Sequence, residues 1–207
     1  RLEQSRAGIH VAAVALMNDR ARQRALAIFA LGKLGQNDDT AIETLVGHLA
    51  QGNRGECLLT AAALARIGGP AIEPLVQKLK SESPAVRYWS AYSLGEMHDG
   101  ARAAVPNLIA LIADEDPDVR AEAIAALGGM GPAAKDAVEA ISDALQDGNS
   151  NVRCTAAAAL WHITGRVEKS VPVLVAGAAN KELPLADRHA IIETLAMIAT
   201  QTTDPPD

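Results

Sequence analysis

The run Asp116-Pro117-Asp118-Val119-Arg120-Ala121-Glu122-Ala123-Ile124-Ala125-Ala126-Leu127-Gly128-Gly129-Met130-Gly131 decides the fold of this chain. An aspartate followed by proline opens a helix. The carboxylate accepts from free N–H groups of the first turn, and proline's missing N–H would have been unpaired there anyway. Counting from Arg120 as zero, apolar residues fall at +4, +7 and +10 (Ile124, Leu127, Met130). That spacing is one stripe on a helix. Gly131 closes it at the position where a left-handed backbone suits only glycine. The pattern returns from Val86-Arg87 through Leu94-Gly95 to Met97, from Val152-Arg153 to Leu160, and from Gln23-Arg24 to Leu34-Gly35. Weaker copies run from Cys57 to Ile67-Gly68 and from Arg188 to Ile198. The anchors 24, 57, 87, 120, 153 and 188 are spaced by 33, 30, 33, 33 and 35 residues. Six copies at one period mark a repeat architecture.

Each copy is accompanied by a further amphipathic run, such as Ala41-Ile42 to Leu45-Val46, Ala71-Ile72 to Leu75-Val76, or Val171-Pro172 to Leu174-Val175. Each unit therefore reads as helix, turn, helix. One pair cannot bury its apolar face alone, but stacked pairs make a continuous core. The expected fold is all-α: an α-solenoid of about six helix pairs. Its second helices fall at 19–34, 54–67, 84–97, 117–130, 150–163 and 185–199. Pro74, Pro106 and Pro172 should kink or start the first helices of their pairs. Residues 1–200 form one solenoid domain on this reading, and the proline-bearing 201–207 form a tail.

The motif Asp-Pro-x-Val-Arg-x-x-Ala-x-x-Ala-Leu-Gly-x-Met-Gly resembles the HEAT-like repeat also found in phycobilin lyase subunits. The resemblance covers nearly the whole chain. It departs at Cys57, which replaces the arginine, and at Trp161 and Thr164, which replace the two glycines of the fifth copy. It implies a right-handed superhelix whose second helices line a concave side. Such stacks serve scaffolds, transport factors and a few enzymes, so fold alone does not give function.

Composition agrees with close-packed helices. Of the 207 residues 42 are alanine, and only Phe29, Tyr88, Trp89, Tyr92 and Trp161 are aromatic. The formal net charge of −6 argues against nucleic acid, because neutralising phosphates needs a Lys/Arg surplus. Residues 1–35 carry net +4, with Arg20, Arg22 and Arg24 as a basic turn, so residues 36–207 carry −10. The longest apolar run, Val11 to Met17, falls short of the ~18–20 residues of a membrane span. The apolar first helix and the absence of an initial methionine suggest a segment of a longer protein. Cys57 and Cys154 belong to repeats three apart and are expected to be free thiols.

Internal repetition separates scaffold from site. The anchor arginine, present in five copies of six, is expected to tie the turn before its helix to a carbonyl or carboxylate. Columns +1, +2, +5 and +9 vary most and are expected to face the concave groove. In the first three copies they carry Leu26, Phe29, Leu58, Leu59, Tyr88, Trp89 and Tyr92. In later copies they carry Glu122, Thr155, His162, His189 and Glu193. The candidate binding residues are Leu26, Phe29, Leu59, Tyr88, Trp89 and Tyr92. Tyr and Trp, which join apolar area to a polar tip, suit the anchors of an interface.

No motif for catalysis or metal emerges. His10, His48, His98, His162 and His189 show no ligand spacing. Asp114-Glu115-Asp116-Pro117-Asp118 lacks the glycine and terminal glutamate of a calcium loop and reads as a helix-opening turn. Gly129-Met130-Gly131-Pro132-Ala133-Ala134 fits a dinucleotide pattern formally, but follows a helix instead of a strand. The expected function is a non-catalytic scaffold binding a protein or peptide in the groove, with no cofactor, nucleic acid or membrane. The alternative that the resemblance permits is a phycobilin lyase-like subunit acting on a tetrapyrrole–protein adduct. An alkylpurine DNA glycosylase of the same fold would need a basic groove, which these columns lack.

Overall fold

A computed structural model of the chain describes residues 2–16, 21–36, 38–168 and 170–202. Arg20 of the basic turn and 203–207 of the expected tail lie outside them. The described residues form twelve α-helices and no strand. These are α1 (Leu2–Leu16), α2 (Ala21–Leu34), α3 (Asp39–His48), α4 (Arg54–Ile67), α5 (Gly69–Lys78), α6 (Pro84–Gly95), α7 (Val105–Leu111), α8 (Pro117–Gly129), α9 (Val138–Ala144), α10 (Ser150–Thr164), α11 (Ser170–Ala179) and α12 (Leu185–Thr202). The even-numbered helices carry the anchor motif and follow the expected spans closely. The chain is an α-solenoid of helix pairs.

The helices form two compact units, Arg1–Asn107 and Leu108–Asp207. Within the first, α2 packs on α1 and α4, and α4 on α6. Within the second, α8 packs on α10, and α11 on α10 and α12. The predicted stripe is the core of both. Leu31, Leu64, Leu94, Ile124 and Leu127 are fully buried, as are Leu45, Leu75, Leu108, Ile141 and Leu174 of the first helices. Each such side chain contributes about 1.5–3 kcal/mol on leaving water. Two stripe positions depart. Leu34 is 42% exposed because it reaches past the end of the α2–α4 contact toward Gly8 of α1. Ile192 is exposed on α12, where no later helix among the described residues covers it.

Helix spacing follows the residue at +8. Gly32 and Gly128 each face the +6 alanine of the next copy. A Cβ on Gly32 would lie 2.7 Å from Ala63 Cβ, and one on Gly128 would lie 2.9 Å from Ala159 Cβ. Glycine there lets α2 meet α4, and α8 meet α10, almost backbone to backbone. With Ala65 at +8 the α4–α6 contact is looser, and with the buried Trp161 there α10 barely touches α12.

The helix ends follow the motif with informative exceptions. Asp116 caps α8, accepting from the N–H groups of Asp118 and Val119. Ser83 occupies the same position before α6 without a side-chain cap bond. At +11, Gly68 and Gly131 have φ of 74° and 57°, as expected. Gly35 does not lie in the left-handed region. Its constraint is space, since a Cβ would sit 2.6 Å from both Ala41 Cβ and Leu31 O. The third copy places His98 at +11, with φ 50°. After it, His98–Ala104 winds as a 3-10 helix, and Pro106 lies in the first turn of α7. Gly131–Ala137 repeats that 3-10 segment ahead of α9. Pro172 sits in the first turn of α11, whereas Pro74 lies inside α5.

The anchor arginines hold the turns. The Nη1 of Arg87 donates to the carbonyls of Ser81 and Glu82 at 2.9 and 3.1 Å. Arg120 does the same to Asp114 and Glu115, and Arg153 to Asp147 and Gly148. Arg120 also reaches Asp147 in the next turn through two hydrogen bonds of 2.9 and 3.0 Å. One side chain thus satisfies its own turn and ties it to the next repeat. In the second copy the thiol of Cys57 stands in, 3.4 Å from the carbonyl oxygen of Gly52.

Candidate functional site

The variable columns of the first unit lie on α2, α4 and α6, the second helices of its pairs. Because these are side-by-side neighbours, equal columns share a face. Column +2 supplies Leu26, Leu59 and Trp89, and column +5 supplies Phe29, Ala62 and Tyr92. Leu26 is 61% exposed, Phe29 52% and Leu59 47%, while Tyr88, Trp89 and Tyr92 are half-buried. The α6 rings form a stack of edges. Trp89 lies 5.1 Å from Tyr88 and 5.5 Å from Tyr92, centroid to centroid, with the rings near perpendicular. Such T-shaped pairs hold each ring in one orientation, which lowers the entropy lost when a partner seats on them. Column +9, which the sequence places on this same face, brings two cations onto one ring. The Nζ of Lys33 and the guanidinium of Arg66 sit 5.4 and 5.3 Å from the centre of the Phe29 ring, one from each helix.

Column +1 is divided: Leu58 is 40% exposed in the first unit, whereas on α8 and α10 of the second the column turns inward. Ala121 and Cys154 are buried there. A Cβ on Gly177 of α11 would collide with the Cys154 sulfur, so this column leans toward the first helices. Tyr88, at +1 of the first unit, is half-buried beside Trp89. In the second unit the same face is small and more polar. A shallow depression of about 490 Å³ lies between α8 and α10, floored by Ala125, Gly128, Ala158 and Ala159 and edged by Thr155 and His162. Partial burial holds the His162 imidazole below its usual 6.5. On α12, His189 and Glu193 approach to 3.2 Å across one exposed helical turn.

A buried polar cluster escaped the sequence reading. Glu56, only 6% exposed, accepts from Arg24 Nε at 2.8 Å, and His48 Nε2 lies 3.5 Å from its other oxygen. Burial alone would raise the Glu56 carboxyl. The hydrogen bond and charge of Arg24, with the Asn53 N–H, outweigh that and hold it below its usual range. Burial lowers the His48 imidazole and raises the Cys57 thiol. A protonated, buried thiol is a poor nucleophile, and the carboxylate is occupied by Arg24. The cluster joins α2, α3 and α4; it is built for structure. Its sequence signal was Asn53-x-x-Glu56, a capping-box pattern opening α4: Asn53 Oδ1 accepts from Glu56 N at 3.1 Å. Among the described residues no group of three His, Cys, Asp or Glu could hold a metal ion, and no helix is long and apolar enough to cross a membrane. Cys57 and Cys154 are both buried thiols outside any disulfide.

The class of protein is now defined: an all-helical repeat protein whose anchor residues stitch turn to turn. Residues 105–196 match the HEAT repeats family, and residues 86–114 match the PBS lyase HEAT-like repeat. The stretch 86–196 is thus built of HEAT repeats, with a phycobilin lyase-type repeat at its start. No curated protein sequence matches it significantly. Among solved structures it is similar to the complex of CpcE and CpcF of phycocyanin lyase from Nostoc sp. PCC7120, with a TM-score of 0.60 and 23% identity over 76% of this chain and 99% of that one. It is also similar to Kap121p, with a TM-score of 0.68 and 17% identity over 96% of this chain and 26% of that one. The chain from the Kap95:Nup1 complex gives 0.67 and 14% over 99% of this chain and 32% of that one. At these identities the likeness is one of fold.

Proposed function

We propose that this chain is a non-catalytic scaffold that holds a protein or peptide partner on the second-helix face of its first unit. Trp89 and Tyr92 are the anchors, Phe29, Leu26 and Leu59 extend the apolar area, and Tyr88 supports Trp89. The observation that carries the reading is the alignment of apolar side chains in equal columns of three neighbouring helices, exposed on α2 and α4 and half-buried on α6. The repeat does not need them there, since the stripe at +4 and +7 already supplies the core. A contiguous exposed apolar strip on a protein surface marks an interaction site. The deciding experiment is capture of the partner from the source cell, followed by affinity measurement with the Trp89→Ala variant. Truncating a central aromatic anchor costs ~2–4 kcal/mol of binding, so affinity should fall by one or more orders of magnitude while the melting transition moves little. Collapse of the transition instead would make Trp89 a core residue.

The match of residues 86–114 to the PBS lyase HEAT-like repeat supports a second reading, a lyase-like subunit acting on a tetrapyrrole–protein adduct. Mixing the chain with a bilin tests it. A shifted visible absorption band would favour that reading, and an unchanged spectrum would remove it.

A further inference from the structure

Resting on that reading of the second-helix face, we propose that the segment it holds is acidic beside its apolar anchor. Its aromatic or aliphatic side chains seat along Phe29 and Trp89, and its carboxylates meet Lys33 and Arg66. The argument starts from the two cations. They come from different repeats yet occupy the same column, and both lie within 5.4 Å of one ring centre. Both are exposed, and among the described residues neither has a carboxylate partner. Arg24 and Arg120 show the contrast, since each is paired with an acid, Glu56 or Asp147. One ring quadrupole attracts both charges. A carboxylate arriving beside Phe29 would have both cations near it, and the Arg66 fork can grip it through two hydrogen bonds.

Complementarity sets the occupant. The chain as a whole carries −6, so a cationic pair on its apolar strip stands out from its surroundings. A purely apolar segment laid over the strip would desolvate both cations without return, and a basic one would add repulsion. An acidic amphipathic peptide meets both halves of the surface. The third copy sets the limit of the cationic stretch, because its +9 residue is Glu96. The acids of the partner are therefore expected opposite α2 and α4, and its main apolar anchor opposite α6.

The test uses the full chain and a random dodecapeptide library displayed on phage. Recovered sequences should be enriched in Asp and Glu flanking an aromatic or aliphatic residue. The best of them, made synthetically, should bind about tenfold more weakly to the Lys33→Ala/Arg66→Ala variant. The Lys33→Glu/Arg66→Glu variant should recover basic flanks instead. Both positions are exposed, and unchanged helical circular dichroism and melting would confirm that folding is intact. Enrichment of apolar peptides without an acidic bias, or a bias that survives charge reversal, overturns this inference and leaves the binding-surface reading standing. No enrichment that Trp89→Ala lowers overturns both. A concentration-dependent dimer broken by Phe29→Ala would assign the strip to a second copy of the chain and overturn the acidic-peptide proposal.

Discussion

His98 occupies the helix-closing position that glycine holds in the second and fourth copies, and its φ of 50° is in the left-handed region. A side chain there costs ~1–2 kcal/mol, part of which glycine returns as lost chain entropy. His98→Gly is therefore expected to stabilise the chain by about 0.5–1 kcal/mol, raising the melting temperature by ~1–4 °C. A lowered melting point would show that the imidazole's contacts outweigh the backbone strain. The buried cluster gives a pH prediction. Burial, with the Arg24 charge acting in the same direction, holds His48 below its usual 6.5, and Glu56 only partly opposes this. The unfolded chain therefore binds the proton more readily than the folded one. The stability so gained is full above pH 6.5 and is lost as pH falls below it. His162 acts in the same window and the same direction. Glu56, held below its usual 4.5, adds a second loss at lower pH by the same sign. Urea midpoints should fall between pH 7 and 5. The His48→Gln/His162→Gln variant should flatten that step and keep the more acidic one.

At the scale of the element, two glycines in similar helices should respond oppositely to alanine. Glycine inside a helix ordinarily costs ~0.5–1 kcal/mol relative to alanine. Beyond the backbone of its own helix and its chain neighbours, nothing lies within 4 Å of the place a Cβ would take at Gly47 of α3, so Gly47→Ala should gain about that amount. At Gly128 the new methyl would lie 2.9 Å from Ala159 Cβ and 3.0 Å from its Cα. Neither atom can swing away, so α8 and α10 must separate, which costs ~1–3 kcal/mol and outweighs the propensity gain. Gly128→Ala should lower the thermal midpoint while Gly47→Ala raises it; matching signs would mean the helices approach less closely than described. Much of this level was legible in the sequence. The second helices, the +4/+7 stripe and the anchor arginine repeat with the period, and repetition reveals what stacking requires. The 3-10 segments before α7 and α9 were not legible, since Gly100 and the Gly131-Pro132 pair read as turn residues and the winding of the segment follows from the backbone set by His98 and Gly131. The Arg24–Glu56 bond joins residues 32 apart through the packing of two repeats, which no local pattern encodes. The burial of Cys154 in column +1 likewise depends on where α11 sits. Columns +2, +5 and +9 were legible because they vary, but the convergence of Lys33 and Arg66 on Phe29 required coordinates.

Charge is the property that belongs to the whole molecule, and it bears on the ligand class more firmly than any single residue. The chain has 19 Lys and Arg against 25 Asp and Glu. Several of its arginines are already engaged. Arg87, Arg120 and Arg153 face turn carbonyls, and Arg24 faces Glu56. What remains on the candidate face is the pair Lys33 and Arg66. Two cations neutralise at most about two phosphates, so the logarithm of any affinity for duplex DNA would fall against the logarithm of salt with a slope near −2. A protein that grips DNA tightly makes roughly 6–10 phosphate contacts and shows a correspondingly steeper slope. An acidic peptide differs from DNA here, because its apolar anchor supplies binding that salt does not screen. The chain is therefore expected to give no electrophoretic shift of duplex DNA at physiological salt and micromolar protein. Nanomolar binding with a steep salt dependence would refute this, and it would place a phosphate-binding surface somewhere other than the strip on α2, α4 and α6.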